Sequence, residues 1–566
     1  MRLSNLFFTL GAALMLALLA GCGATNSSNG SSNPNSGGNS NSLPGCGSAA
    51  TPSVNAAAPS SIDVVTSHYD RLRTGQNTSE AILNPGNVNS AQFGKLGEFM
   101  VTGKVDAQPL YLSNVPIAGI TKNILYVATE HGCVYAFDAD SISGTTSKPL
   151  WVTSTSLPDE TPSDNRSCTQ VTPEIGITST PVIDRARGAI YVIAVSKSST
   201  GNYIHRIHAL SLSSGAELFG GPMVITATHP GTGAGSSGGT VVFDPSEYNE
   251  RAGLLEINNT IYTTWGSHCD IGSYTAWVMA FSADNLRQTA VLNLTPNGND
   301  GGIWMSGAAP AADAAGNIYF VLGNGTFDTT LNSSGFPSMG DCGNCFVKIS
   351  SAPPLQLLDY FTPSNTVTLS DADLDLGSAG PLLLPDLTGS GGVTKHLAVA
   401  SGKSNPNIYL LDRDNMGKFH MTADNIYEEI PGALTSFGEF GKPSYFNNTV
   451  YYGAVGDNLK AFPIIDAMLA MTPSSATSRQ FPYPGTTPTT SSSGVSNGIV
   501  WAVENGTPAV LHAYDASNLA NELYNSNQAA NGRDQFAGNK FITPVVANGR
   551  VYVGTPASVA VFGLLH

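Results

Sequence analysis

The chain has 566 residues, of which 12% are charged, with a formal net charge of −16 and no run of basic residues. Nucleic acid and anionic lipid surfaces both reward clustered Lys and Arg, so this balance excludes them as partners. The acidic excess serves solubility.

Residues 1–21 carry Arg2, an apolar run from Leu6 to Ala20 and the small pair Ala20-Gly21. A basic start, an apolar stretch and a small-residue cleavage site together read as a secretion signal. About 15 apolar residues fall short of the roughly 20 that a membrane span needs. Cys22 directly after Ala-Gly resembles the bacterial lipoprotein box, which implies lipidation of Cys22 and a membrane anchor. By the same resemblance Gly23, standing where Asp would retain a lipoprotein at the inner membrane, favours the outer membrane, with the domain facing the periplasm or the exterior. Residues 22–61 are dominated by Ser, Asn, Gly, Pro and Ala without apolar periodicity, and are predicted to form a flexible tether.

From residue 62 to 566 the pattern is strands only. Apolar and polar residues alternate over about five positions between Gly, Asn and Asp, and no stretch sustains helical spacing. Middle strands recur at Leu125-Tyr126, Ile190-Tyr191, Ile261-Tyr262, Ile318-Tyr319, His396-Leu397, Val450-Tyr451, Val500-Trp501 and Val551-Tyr552. Third strands follow in kind, as in Val134-Tyr135-Ala136-Phe137-Asp138 and Leu511-His512-Ala513-Tyr514-Asp515. A repeat of this length built from short strands predicts an all-β fold, an eight-bladed β-propeller. The last unit stops after its third strand, and a lone strand lies at Phe93 to Gly103. Adding that strand to the eighth blade closes the ring and removes two open edges.

Six cysteines follow Cys22: Cys46, Cys133, Cys168, Cys269, Cys342 and Cys345. An exported chain meets an oxidising compartment, so disulfides are expected. Cys133, Cys269 and the Cys342/Cys345 pair fall in loops between second and third strands, and Cys168 in a connection between blades, all opening on one face. Cys342 is expected to join Cys345, and Cys168 to join Cys133 or Cys269, leaving the other free or paired with Cys46. Gly233 to Gly238 matches a dinucleotide-binding spelling, and Gly235 to Gly239 an esterase one. Both motifs need a strand feeding a helix, which this Gly/Ser loop lacks. His268-Cys269-Asp270 lacks the second spaced pair of a zinc site.

The repeat, seen in Thr180-Pro181-Val182-Ile183-Asp184 with Ile190-Tyr191-Val192 and again in Thr543-Pro544-Val545-Val546 with Val551-Tyr552-Val553-Gly554, resembles that of the pyrroloquinoline quinone propellers. Tyr69-Asp70-Arg71 through Asn87-Val88-Asn89 is similar to the entry segment of quinoprotein alcohol dehydrogenases. Three further stretches resemble their site: Gly301-Gly302-Ile303-Trp304 with Leu322-Gly323-Asn324-Gly325, Asp371 to Gly377, and Gly402-Lys403. The resemblance implies Trp304 as the floor under the quinone, Asn324 as a calcium ligand, Asp375 as catalytic base and Lys403 at the quinone carbonyls. A planar quinone needs an aromatic floor, calcium takes oxygen ligands, and an aspartate accepts the alcohol proton.

Two features depart from that family. Its pair of adjacent cysteines is absent, Ser167-Cys168-Thr169 holding one cysteine, and Ala194 to Ser199 lacks the second-blade glutamate that binds calcium. Glu174 or Glu130 would have to substitute. With its main carboxylate missing, a calcium site is expected to be weak. The sequence therefore points first to a monomeric lipid-anchored propeller that binds a partner, protein or glycan, through its cysteine-bearing face. A quinone-dependent dehydrogenase with an altered cap is the alternative, and a scaffold resembling the outer-membrane assembly lipoprotein is a third.

Overall fold

The structure is a computed structural model describing residues 45–50, 55 and 57–565. The signal at 1–21, Cys22 and the first half of the expected tether lie outside the described residues.

Eight antiparallel sheets share one plan, with middle strands Ile120–Ala128, Ala189–Ser198, Thr260–Thr264, Ile318–Val321, Leu397–Gly402, Thr449–Tyr452, Ser496–Glu504 and Arg550–Gly554. Numbered here as blades 1 to 8, each runs from an inner strand outward through three more strands in chain order, except that blade 8 takes its outer strand from the N-terminal segment. Apolar side chains on both faces of each sheet pack against the next. Leu125 and Val134 of blade 1 are buried on opposite faces, Val134 with Ile183 and Val192 of blade 2, Leu125 with Tyr552 and Val561 of blade 8. Equivalent seams join every consecutive pair, so the sheets follow one another in a closed cycle. The chain is a β-propeller. Against the all-strand expectation, the described residues include five one-turn 3-10 segments and one short α-helix, Thr366–Asp371, with one buried residue, Thr366.

Closure depends on Phe93–Met100, which pairs antiparallel with Ser558–Leu564 as the outer strand of blade 8. Side chains of a strand alternate between faces, so Phe93 and Phe99, six apart, would point the same way in a regular strand. A bulge between Lys95 and Gly97 inserts one residue and reverses the phase. Phe93 thus packs against Trp501 at 5.5 Å and Tyr524 at 5.0 Å in the seam with blade 7, while Phe99 stacks on Phe137 at 4.6 Å in the seam with blade 1. Full burial of each ring is worth about 1.5–3 kcal/mol.

A second feature lies at the hub, in residues 64–77. Val64 N–H donates to Tyr111 O of blade 1, and the carbonyls of Val65, Arg71, Leu72, Thr74 and Gly75 accept from Ile183, Ala312, Leu383, Tyr445 and Thr490 of blades 2, 4, 5, 6 and 7. Arg71 pairs with Glu256 of blade 3 at 3.3 Å, and Tyr69 Oη accepts from Val546 N–H of blade 8 at 2.6 Å. A segment that reaches the inner strands of all eight blades must cross the axis. Within it Arg73 is fully buried, its Nη1 donating to Thr66 Oγ1 at 2.7 Å and to Ser67 O at 2.9 Å, and its Nε to Pro310 O at 2.8 Å.

The later part of the expected tether is corrected by the structure: it is docked rather than free. Cys46 forms a disulfide with Cys133. Ala50 N–H donates to Pro149 O and Ala57 N–H to Thr121 O, both on blade 1. Polar composition concealed this because the docking uses backbone groups and one cysteine rather than apolar side chains.

Candidate functional site

A cavity of about 290 Å³ opens on the face formed by the loops between second and third strands and the segments that lead into the inner strands. All four residues singled out by resemblance, Trp304, Asn324, Asp375 and Lys403, line it. So do Cys168 and Cys269, joined in a second disulfide. The third bridge, Cys342–Cys345, closes the blade 4 loop beside the Asn324 turn, where Gly343 N–H donates to Thr326 O. Cys168 therefore takes Cys269 rather than Cys133, and Cys46 completes the pairing.

The wall built by blades 4 and 5 is held by ion pairing. Asp375 precedes the turn Leu376–Ser378 that feeds the inner strand of blade 5, and Lys403 sits in the tight turn after that blade's middle strand. Asp375 Oδ1 accepts from Asn324 N–H at 2.8 Å, and Oδ2 pairs with Lys403 Nζ at 3.0 Å. Lys403 Nζ also reaches Asp373 at 2.8 Å. Burial raises the Asp375 carboxyl above its ordinary range despite the facing ammonium. Burial acts to lower the Lys403 pKa, but the charges of Asp375 and Asp373 outweigh it and hold the amine above its usual value.

Deeper lies a carboxyl pair. Burial and the neighbouring charge of Asp106 push Glu130 far up, whereas Lys104 and Arg251 hold Asp106 down against burial. Glu130 Oε2 accepts from Gly176 N–H and Thr178 Oγ1, each at 3.0 Å, and Glu174 is taken by His131 at 2.8 Å. Neither glutamate lines the cavity beside Asn324.

These positions decide the fit of calcium. A calcium ion needs six to eight oxygen ligands, but both oxygens of Asp375 are engaged, one of them by an ammonium. Ser196, in the stretch expected to carry the second-blade acid, instead hydrogen-bonds Glu160 at 2.8 Å. Among the described residues no group of three or more His, Cys, Asp or Glu could hold a metal. The residues do not fit a calcium-bound quinone.

Among the lining residues that escaped sequence reading are Arg251, Phe440, Tyr483, Lys540 and Phe541. The rings of Phe440, Tyr483 and Phe541 stand 5.6 to 6.3 Å apart, and Trp304 lies 6.2 Å from Phe440. A positional signal exists in the chain. Arg251, Phe440 and Phe541 each stand four residues before an inner strand, beginning at Leu255, Ser444 and Val545 respectively, where the chain turns in from the axis.

No family model matches this chain, and no curated protein does. Among solved structures, the quinohemoprotein alcohol dehydrogenase of Comamonas testosteroni is similar with a TM-score of 0.57 and 13% identity, over 88% of this chain and 80% of that one. A quinohemoprotein alcohol dehydrogenase of Pseudomonas putida HK5 gives 0.57 and 12%, over 89% and 80%. BamB of Moraxella catarrhalis gives 0.44 and 11%, over 84% and 98%. The fold is that of the quinoprotein propellers.

Proposed function

We propose that this protein is an exported propeller, lipid-anchored through Cys22, that binds a protein or glycan partner in the cavity on its cysteine-bearing face rather than oxidising alcohols. The observation that carries the reading is the Asp375 carboxylate, buried and taken up by Lys403 and the Asn324 amide. A base so engaged has no free oxygen to receive a substrate proton. Three disulfides support an oxidising compartment. The second reading, a quinone-dependent dehydrogenase with an altered cap, draws on the convergence of Trp304, Asn324, Asp375, Lys403 and a disulfide on one cavity.

Titration of the purified protein with pyrroloquinoline quinone and calcium, followed by dye-linked alcohol oxidation, separates the two. No turnover is expected in the parent. Asp375→Ala should leave Lys403 leaning on Asp373 alone and the Asn324 amide unpaired, costing about 1–3 kcal/mol of stability. Turnover in the parent that disappears in a normally stable Asp375→Ala protein would install the dehydrogenase.

A further inference from the structure

Of the acidic groups lining the cavity, Asp375, Asp373 and Asp106 are ion-paired to lysines, while two of its cations, Arg251 and Lys540, share only the nearby charge of Asp106. Asp375 and Asp373 face Lys403, Asp106 pairs with Lys104 at 3.3 Å, and Asp270 lies exposed at the rim, accepting hydroxyls of Ser267 and Tyr274 at 2.6 Å. Arg251, by contrast, hydrogen-bonds the carbonyl of Thr178 at 3.4 Å, and Lys540 the amide oxygen of Gln170 at 2.6 Å. Neither forms an ion pair among the described residues. Both are half-buried, and both stand over one ring: the guanidinium carbon of Arg251 is 5.7 Å and Lys540 Nζ 5.5 Å from the centre of Phe541.

This arrangement is held in place by costly local geometry. Phe541 has φ of 62°, in the left-handed region that a bulky residue rarely occupies. Gly307, with φ of 83°, lies under Arg251, and any side chain there would collide with the guanidinium. The two like charges repel, Arg251 acting to lower the Lys540 pKa, and an anion held by both would relieve that repulsion beyond what Asp106 supplies. Distant carboxylates are screened beyond roughly 8 Å at physiological salt, so the charges of the lining itself govern what enters.

The remaining lining narrows the ligand. Phe541, Phe440 and half-exposed Tyr483 offer flat apolar faces, and around them stand amide and hydroxyl groups of Gln170, Asn249 and Tyr274. Gln170 accepts from Lys540 and Tyr274 donates to Asp270, so these groups keep part of their hydrogen-bonding capacity for a ligand. A pyranose ring presents an apolar C–H face for stacking and hydroxyls for the polar rim.

We propose that the cavity binds an acidic sugar, a uronate unit of a glycan, with its carboxylate between Arg251 and Lys540 and its ring against Phe541 and Tyr483. This assignment rests on the binding reading above and names its ligand class. Arg offers a planar fork to a carboxylate and Lys a point charge, and such charge-assisted hydrogen bonds are about twice as strong as neutral ones.

Calorimetric titration of the mature protein with trigalacturonate, maltotriose and 1-naphthoate tests it. Trigalacturonate should bind one per chain and weaken with added salt. Arg251→Gln and Lys540→Gln should each reduce its affinity about tenfold or more without lowering the melting temperature, while Lys197→Gln, on the rim of blade 2, should not change it. Equal affinity for trigalacturonate in parent and both cavity variants would overturn the proposal, as would binding of 1-naphthoate but not trigalacturonate. Binding of maltotriose alone would remove the uronate assignment and leave the binding function standing. Quinone turnover, read in the separate oxidation assay, would remove the binding function itself.

Discussion

At the scale of single residues, burial sets two proton equilibria that can be read from outside. Burial and the charge of Lys104 bring the Lys540 amine down to about 8, with Arg251 acting in the same direction and Asp106 against them. Because the uronate carboxylate stays ionised throughout, affinity for trigalacturonate should hold below pH 7 and fall as pH rises through about 8, when Lys540 loses its charge. Lys540→Arg, whose guanidinium stays protonated, should flatten that profile in the same calorimetric series. Glu439 behaves in the opposite sense to an ordinary surface acid. It is fully buried, one oxygen accepting from Gly441 N–H at 2.9 Å and the other unpartnered, and burial raises its pKa to about 8. A raised carboxyl adds stability below its unfolded pKa and loses it as pH climbs through the folded value. Glu439→Gln, a neutral mimic, should therefore melt close to the parent at pH 5 and well above it at pH 9, the difference reaching on the order of 3–5 kcal/mol. A constant offset between the two melting curves across pH would rule out this ionisation.

At the scale of elements, the strands were legible and their phase was not. Alternating runs such as Val134 to Asp138 mark third strands plainly, and the orphan strand from Phe93 could be assigned to blade 8 because an unfinished sheet needed an edge. Gly97 inside the strand is a general bulge signal, but which neighbouring seams need filling, and so the phase, is not written in Lys95-Leu96-Gly97. Deleting Leu96 should restore regular alternation and swing Phe99 out of its seam with blade 1. The expected loss equals or exceeds that of Phe99→Ala, about 3–5 kcal/mol, whereas Leu96→Ala should cost distinctly less. Urea denaturation of the three variants checks this, and near-parent stability of the deletion would contradict the assigned phase. The Cys46 bridge is similar in kind. Its sequence separation of 87 gives a chain-entropy value of roughly 4–5 kcal/mol, so a protein beginning at Ile62 should melt below the parent, although composition alone marked that segment as free.

At the scale of the whole molecule, the site was half legible. Residues carried by resemblance, Trp304, Asn324, Asp375 and Lys403, converge on one cavity, but Tyr483 and Lys540, which converge by geometry alone, share no local motif. Their neighbourhood exists only once eight blades surround an axis. The hub segment has the same character, since its hydrogen bonds are backbone groups to which sequence gives no clue. Gly75 at its end has φ of 70°, and a side chain there would run into the buried His68 ring. Gly75→Val should lower the melting temperature as a single transition, because the segment touches every blade and no blade can loosen alone. Stepwise melting by circular dichroism and intrinsic fluorescence would contradict that coupling. The same feature constrains the order of events in time. Asn77 donates to Val546 O at 3.0 Å across 469 positions, and such distant pairings slow folding because loop closure must precede their reward. As the chain emerges N-terminus first, the hub is made first and completed last, gaining a partner with each blade while Tyr69 and Asn77 wait for Val546 of blade 8. Until blade 8 is present the hub keeps polar groups without their native partners, so shielding residues 64–77 during that interval should raise the yield of folded protein.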